Sequence, residues 1–224
     1  MRVVREIVAH LDDTGYRTLR EEIVTGRLLP NERLVELELS DRLGIGRAAV
    51  RTALVRLQAE GLITRERHRG AKVRLVDERE AIEIVEARAV LEGLGVRHAA
   101  ANATPEDIEG LSAILAEMRG RLDAGDLLGA SDQNGVLHRR LLAIGGHGIV
   151  EQLISMLNSQ VVRFQYRTIL VPGRPERSYA EHAAIVEAVA DRDPAAAEAA
   201  MRRHLSNVGA ALTQRPEGGP RSDG

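Results

Sequence analysis

At 224 residues, with 44% hydrophobic and 29% charged residues, the chain has enough apolar material to bury a real core and the composition of a soluble globular protein. The absence of cysteine excludes disulfides, thiolate metal sites and a cysteine nucleophile, and suits a reducing cytoplasm. The net charge of −2 hides a division, because residues 1–74 carry 15 basic and 11 acidic side chains whereas the remainder carries 16 and 22. Only the first third therefore suits a polyanionic partner, which argues against an architectural protein that coats nucleic acid along its whole length. No run approaches the ~18 apolar residues of a membrane span. Arg5, Glu6, His10, Asp12 and Asp13 interrupt any signal-like apolar stretch. These features predict a cytoplasmic protein with no membrane partner.

In chain order, Val3, Val4, Ile7, Val8 and Leu11 are helically spaced, predicting an extra helix or arm over residues 2–12. A second helix is predicted from Thr14 to Thr25, with Leu19 and Ile23 inward and Gly26 as its stop. The organising stretch runs from Leu34 to Arg74 and reads as a short helix, a turn, a longer helix and a β-hairpin. The turn Leu43-Gly44-Ile45-Gly46 places two glycines at a tight helix–helix corner, where positive φ is useful. After it, Val50, Ala53, Leu54 and Leu57 recur at i, i+3, i+4 and i+7 and mark a buried face. Arg47 and Arg51 lie four residues apart on another face, near the helix start, in reach of guanine edges in a major groove. Two arginines on an isolated helix more often mark a solvated surface. The glycine turn before them and the basic hairpin after them shift the balance. In that hairpin, 62–64 and 73–76 are predicted to pair around a loop at 65–72 containing Arg69, Gly70 and Lys72, a wing for the DNA backbone or minor groove. The predicted shape is a winged helix-turn-helix.

The residues Thr18–Pro30, Glu32-Arg33-Leu34, Leu39-Ser40-Asp41-Arg42-Leu43-Gly44-Ile45-Gly46-Arg47 and Val50–Leu54 together resemble the opening of the GntR family of bacterial transcription regulators. Leu57, Glu60–Ile63 and Arg69-Gly70-Ala71 extend the resemblance, which covers 18–76. It implies DNA contacts at Arg42, Arg47, Arg51, Arg69, Gly70 and Lys72. Asn31, Gly46, Ala49 and Thr52 depart from the usual glycine, hydroxyl residue, proline and glutamate. A missing hydroxyl at 46 removes a phosphate contact or a helix cap.

Beyond a short bridge at 75–79, no further strand is predicted. Helices are expected over 79–101, started by Asp77 and Glu80; over 104–122, opened by Thr104-Pro105-Glu106-Asp107; and over 127–144, closed by Gly145-Gly146. Three more are expected over 148–170, 178–190 and 193–213, with a loop opened by residues 171–175 and a disordered tail at 214–224. The fold class predicted is mainly α: an N-terminal winged helix-turn-helix domain over 1–76, then an all-α antiparallel helical bundle over 77–213.

Chemistry in the bundle rests on histidines. Asn134 and His138 stand at i and i+4 on one helix, and His182 and His204 on two others. Each alone is most simply an ordinary core or surface imidazole. Three on separate helices, one with an amide oxygen beside it, can converge on a divalent cation with open positions. His10, His98 and His147 read as structural.

Asn134-Gly135-Val136-Leu137-His138, Glu181-His182 and Arg203-His204-Leu205 resemble the ligand motifs of the FCD effector domain, found in the FadR-type branch of GntR regulators. Ile84–Arg88 and Leu91-Glu92 resemble its first helix. The resemblance implies a metal, zinc or alternatively nickel, on Asn134, His138, His182 and His204, where many members carry aspartate at the first position. It also implies a small organic acid as effector, with Arg88 as a carboxylate clamp and Arg163 and Arg167 as weaker candidates. For Arg88 the competing reading is an intrahelical pair with Glu92. The whole reads as a homodimeric, ligand-responsive regulator, a repressor on a palindromic double-stranded operator. The alternative from another class is a metal-dependent hydrolase using the histidines, although no carboxylate in the motifs is placed as its general base.

Overall fold

The computed structural model describes residues 15–66 and 70–213. The helix predicted at 2–12, His10, Arg69 and the tail at 214–224 lie outside them. The chain divides into two compact units, Met1–Val76 with Asn158–Val162, and Asp77–Leu157 with Arg163–Gly224.

The first unit opens with α1 (residues 15–24). Gly26, at φ +78°, ends this helical turn as predicted. A two-residue strand β1 (Arg33–Leu34) leads into α2 (Glu36–Leu43) and α3 (Arg47–Ala59), then β2 (Ile63–Glu66) and β3 (Gly70–Val73). The corner between α2 and α3 uses one of its two glycines for positive φ. Gly44 is left-handed, whereas Gly46 is extended and caps α3 with no side-chain hydrogen bond. The hydroxyl missing at 46 is thus a missing cap. Ser40 Oγ closes the corner by donating to the Ile45 carbonyl at 2.6 Å.

The sheet corrects the sequence reading in two ways. β1 was not foreseen; it pairs antiparallel with β3, giving the order β1-β3-β2. The hairpin register is Ile63↔Val73 through Glu66↔Gly70, so the strands run into the stretch expected to be loop and leave only 67–69 between them. Alternation explains the result, since Ala71 and Val73 are buried and pull that strand onto the core. The core beneath gathers Leu19, Ile23, Leu34, Leu39, Val50, Ala53, Leu54, Leu57, Ile63 and Val73. The face predicted for α3 is completely buried there. Tyr16 and Arg20 both donate to the Glu60 carboxylate, and Arg56 stacks 3.6 Å over the Tyr16 ring, bracing α1 against the end of α3.

The second unit is an antiparallel bundle of α4 (Glu78–Asn102), α5 (Pro105–Asp123), α6 (Leu127–Gly145), α7 (Gly148–Ile169) apart from its residues 158–162, α8 (Arg174–Ala190) and α9 (Pro194–Leu212). Asp77 caps α4 by accepting from the Glu80 N–H, and Thr104 with Asp107 forms a full capping box on α5. α8 starts at Arg174, not Ser178 as predicted. Gly173, left-handed at φ +69°, turns the chain, and Pro175 fits a first turn where its missing N–H costs nothing. α4 and α6 cross closely. A Cβ on Gly145 would lie 2.4 Å from the Gly95 carbonyl oxygen, and one on Gly95 would strike Leu142. This crossing lies at the last residue of α6 and draws that end of the helix onto α4.

Candidate functional site

Three helices deliver the bundle's histidines to one place. His138 on α6, His182 on α8 and His204 on α9 are all buried, His182 completely. His182 Nε2 lies 3.2 Å from His138 Nε2 and 3.2 Å from His204 Nε2. The convergence expected from the sequence is therefore present as geometry, and the three imidazoles are a group able to hold a metal ion.

The outer nitrogens explain the orientation of the inner ones. His138 Nδ1 lies 2.5 Å from Glu92 Oε2, and His204 Nδ1 lies 2.7 Å from Glu181 Oε2. When each Nδ1–H donates to its carboxylate, the Nε2 lone pair is left facing inward. Glu92 has no exposed surface and is held by Arg88 Nε at 2.7 Å. Arg174, itself buried, grips Glu181 with two bonds of 3.0 and 2.8 Å, and Asn207 donates to the same carboxylate. Burial pushes the Glu92 carboxyl up, but Arg88 and then His138 outweigh it and hold it down at about 2. Burial, then the neighbouring imidazoles, lowers His182 well below the ordinary 6.5; burial, His138 and Arg174 do the same for His204.

Two buried atoms in this region lack a hydrogen-bond partner among the described residues: Asn134 Oδ1 and His182 Nδ1. A buried amide oxygen without a donor is costly. A cation would account for it, and three imidazole nitrogens with one oxygen would form a donor set suited to zinc or nickel. The residues present fit the metal that the sequence led us to expect.

Arg88, expected as a carboxylate clamp, makes the intrahelical pair with Glu92 that was its competing reading. Arg163 lies on α7, and its side chain falls outside the described ones. Sequence reasoning gave Arg174 no role, named Glu181 only within the Glu181-His182 motif, and saw Glu92 only within the Leu91-Glu92 segment and as a partner for Arg88. Glu181 precedes His182 but serves His204, a contact across helices with no local signature. His98 and His147 stack edge to face on each other, with ring centroids 5.5 Å apart.

In the first unit, Arg47 begins α3 and is exposed, with no hydrogen bond or ion pair among the described residues. Arg51, one turn on, donates through Nε to Glu36 Oε2 at 2.7 Å. Arg65 Nη2 lies 3.6 Å from the other oxygen of the same carboxylate. Arg42 is committed to Glu22 through two bonds of 2.9 and 2.8 Å. Gly70 opens β3 with φ +81°, and Lys72 lies on β3 between Arg33 and Thr64.

Comparison with known proteins joins the two halves. Residues 11–73 match the model of the bacterial regulatory proteins of the gntR family, and residues 83–207 match the FCD domain. The chain is 29% identical over 204 residues to the HTH-type transcriptional repressor GlaR of Escherichia coli K12, covering 85% of this chain and 90% of the relative. It is 30% identical over 217 residues to the repressor NanR of Citrobacter rodentium, covering 85% and 79%. Its fold superposes on the solved E. coli McbR/YncC with a TM-score of 0.74, 22% identity and coverage of 90% and 96%.

Proposed function

Because the chain belongs to the GntR family of bacterial regulatory proteins and carries an FCD domain, it is a DNA-binding transcription regulator and not an enzyme; we propose that it is a cytoplasmic repressor that releases or engages its operator in response to a small carboxylate held in the bundle. The hydrolase alternative has no support in a family of regulators.

The observation that carries this reading is the convergence of three imidazole nitrogens, one of them four residues along α6 from Asn134, whose buried amide oxygen has no partner among the described residues. His138, His182, His204 and Asn134 would hold a divalent metal, zinc or nickel. When bound, it supplies a positive centre to which an anionic ligand's oxygen can be attracted. With a neutral amide in place of a carboxylate, this chain cancels none of that charge through its direct ligands. Glu92 and Glu181 would keep the Nδ1 protons on His138 and His204, and Arg88 and Arg174 hold those carboxylates in place. A ligand that favours one arrangement of the protein shifts its population, and DNA affinity with it.

On the DNA side, Arg47 and Arg51 would read base edges from α3, with Arg42, Arg69, Gly70 and Lys72 placing the backbone. The regulator would act as a homodimer on a two-fold symmetric operator. An exposed apolar pair supports this: Ile149 and Leu153 stand four residues apart on α7 and both remain exposed. The reading is tested by measuring operator binding of zinc-loaded protein against a panel of small carboxylates. A shift with at least one acid, absent in His182→Ala, supports it; no response in a broad panel counts against the sensing role.

A further inference from the structure

An acidic side chain stands among the cations of the DNA-binding unit. Glu36 is the first residue of α2, and its carboxylate spans two arginines from different elements: Arg51 of α3 at 2.7 Å and Arg65 of β2 at 3.6 Å. Arg51 is 60% exposed, so the bridge lies at the surface, where ion pairs contribute little to folding. The apolar cluster beneath, from Leu19 to Val73, holds the unit together without it. A carboxylate there is also unfavourable for a phosphate backbone, which it repels. A group that adds little stability and opposes non-specific attraction is the signature of discrimination by competition.

We propose that Glu36 is a specificity-determining residue of the DNA-binding face, and that Arg65 belongs to that face beside Arg51. The inference rests on the DNA-binding reading of this unit. The carboxylate occupies both guanidiniums and neutralises them in the free protein. Backbone phosphates of arbitrary sequence then meet Arg47 as the uncommitted cation of α3. A guanine edge presented to Arg51 offers two aligned acceptors, enough to replace the Nε bond to Glu36, whereas a phosphate met in passing must displace the carboxylate against like-charge repulsion. Arg65, released in the same event, is free for the adjacent phosphate.

The test uses the full chain and two probes: a duplex enriched by the wild-type protein from a random-sequence pool, and the unenriched pool itself. Glu36→Gln keeps shape and removes charge; Glu21→Gln, on an exposed pair with Arg27, is the charge-matched control. Glu36→Gln is expected to bind the unenriched pool about fivefold more tightly, as a freed Arg65 allows, and to steepen the salt slope by about 0.9 for one more phosphate. Affinity for the enriched duplex should change less, so discrimination falls, while Glu21→Gln leaves the ratio intact. Adding Arg65→Gln to Glu36→Gln should remove the gain. Equal change on both probes, no change, or a gain that survives loss of Arg65 overturns the proposal. Failure of the wild-type protein to enrich any duplex defeats the DNA-binding reading instead.

Discussion

His138 Nδ1 lies 2.5 Å from Oε2 of Glu92, a carboxylate with no exposed surface that Arg88 holds from the other side. That contact is possible because Gly95 and Gly145 let α4 and α6 approach closely. It ties a candidate metal ligand on α6 to a carboxylate on α4. Replacing Glu92 by glutamine keeps the volume but removes the charge that favours a proton on Nδ1. Zinc affinity should fall about 10- to 100-fold, in the range seen when such outer partners are lost. Competition with a calibrated chelator measures it, and wild-type affinity in Glu92→Gln would contradict the assigned role.

The helix crossing gives a second expectation. A methyl group on Gly145 would meet the Gly95 carbonyl oxygen at 2.4 Å, and backbone cannot step aside as a flexible side chain can. Gly145→Ala should therefore destabilise the bundle by about 1–3 kcal/mol, the usual cost of overpacking, and loosen zinc binding as well. Denaturant unfolding of metal-free protein checks the first effect. Gly110→Ala, at a helical site open to solvent, serves as the comparison and should not destabilise.

A third concerns pH. His182 and His204 are held well below 6.5 in the folded chain, chiefly by burial. An unfolded chain takes up protons just below 6.5 that the folded cluster refuses, so protons favour unfolding there. The stability of metal-free protein should be full above about 6.5 and decline as pH falls below it. Melting temperatures between pH 7.5 and 5.5 report this, and His182→Phe should flatten the decline. A wild-type melting temperature constant over that interval would contradict it.

Much of this architecture was legible in residue order because its signals are local. Thr104-Pro105 with Asp107 announces α5, and the spacing of Val50, Ala53, Leu54 and Leu57 announces the buried face of α3. The errors occurred where local signals are weak or ambiguous. β1 is two residues long and exists only by pairing with β3. Basic residues at 65–72 suggested a loop, but Ala71 and Val73 needed burial, and the strands followed them. Gly173 and Pro175 suggested a continuing loop, yet a left-handed glycine followed by an early proline also starts a helix. At the site, the histidines could be listed from the sequence, and a family resemblance grouped them. Their carboxylate supports could not be listed, because Glu92 and Glu181 reach them across helices.

For DNA, Arg47 is the clearest single test. It stands at the start of α3 with no partner among the described residues. Arg47→Ala should therefore cost about 1–3 kcal/mol on an enriched duplex if it reads a base, with little change in folding stability. Lys72→Ala in the wing should weaken binding more evenly across sequences. Fluorescence anisotropy on enriched and unenriched duplexes separates the two. Equal losses on both duplexes for Arg47→Ala would reassign it to the backbone.

Three buried imidazoles and the amide of Asn134 are expected to form a working metal site in this regulator. Calorimetric titration of zinc into chelator-stripped, full-length protein tests it most directly. One ion should bind per chain, with affinity holding through the ordinary imidazole range near ~6.5 and falling only at lower pH, where protons begin to compete for the buried nitrogens. His138→Ala, His182→Ala and His204→Ala should each abolish or greatly weaken that event while leaving the winged unit's DNA binding largely intact. No saturable heat with zinc or nickel in the wild-type protein, or binding that survives loss of all three histidines, would contradict it.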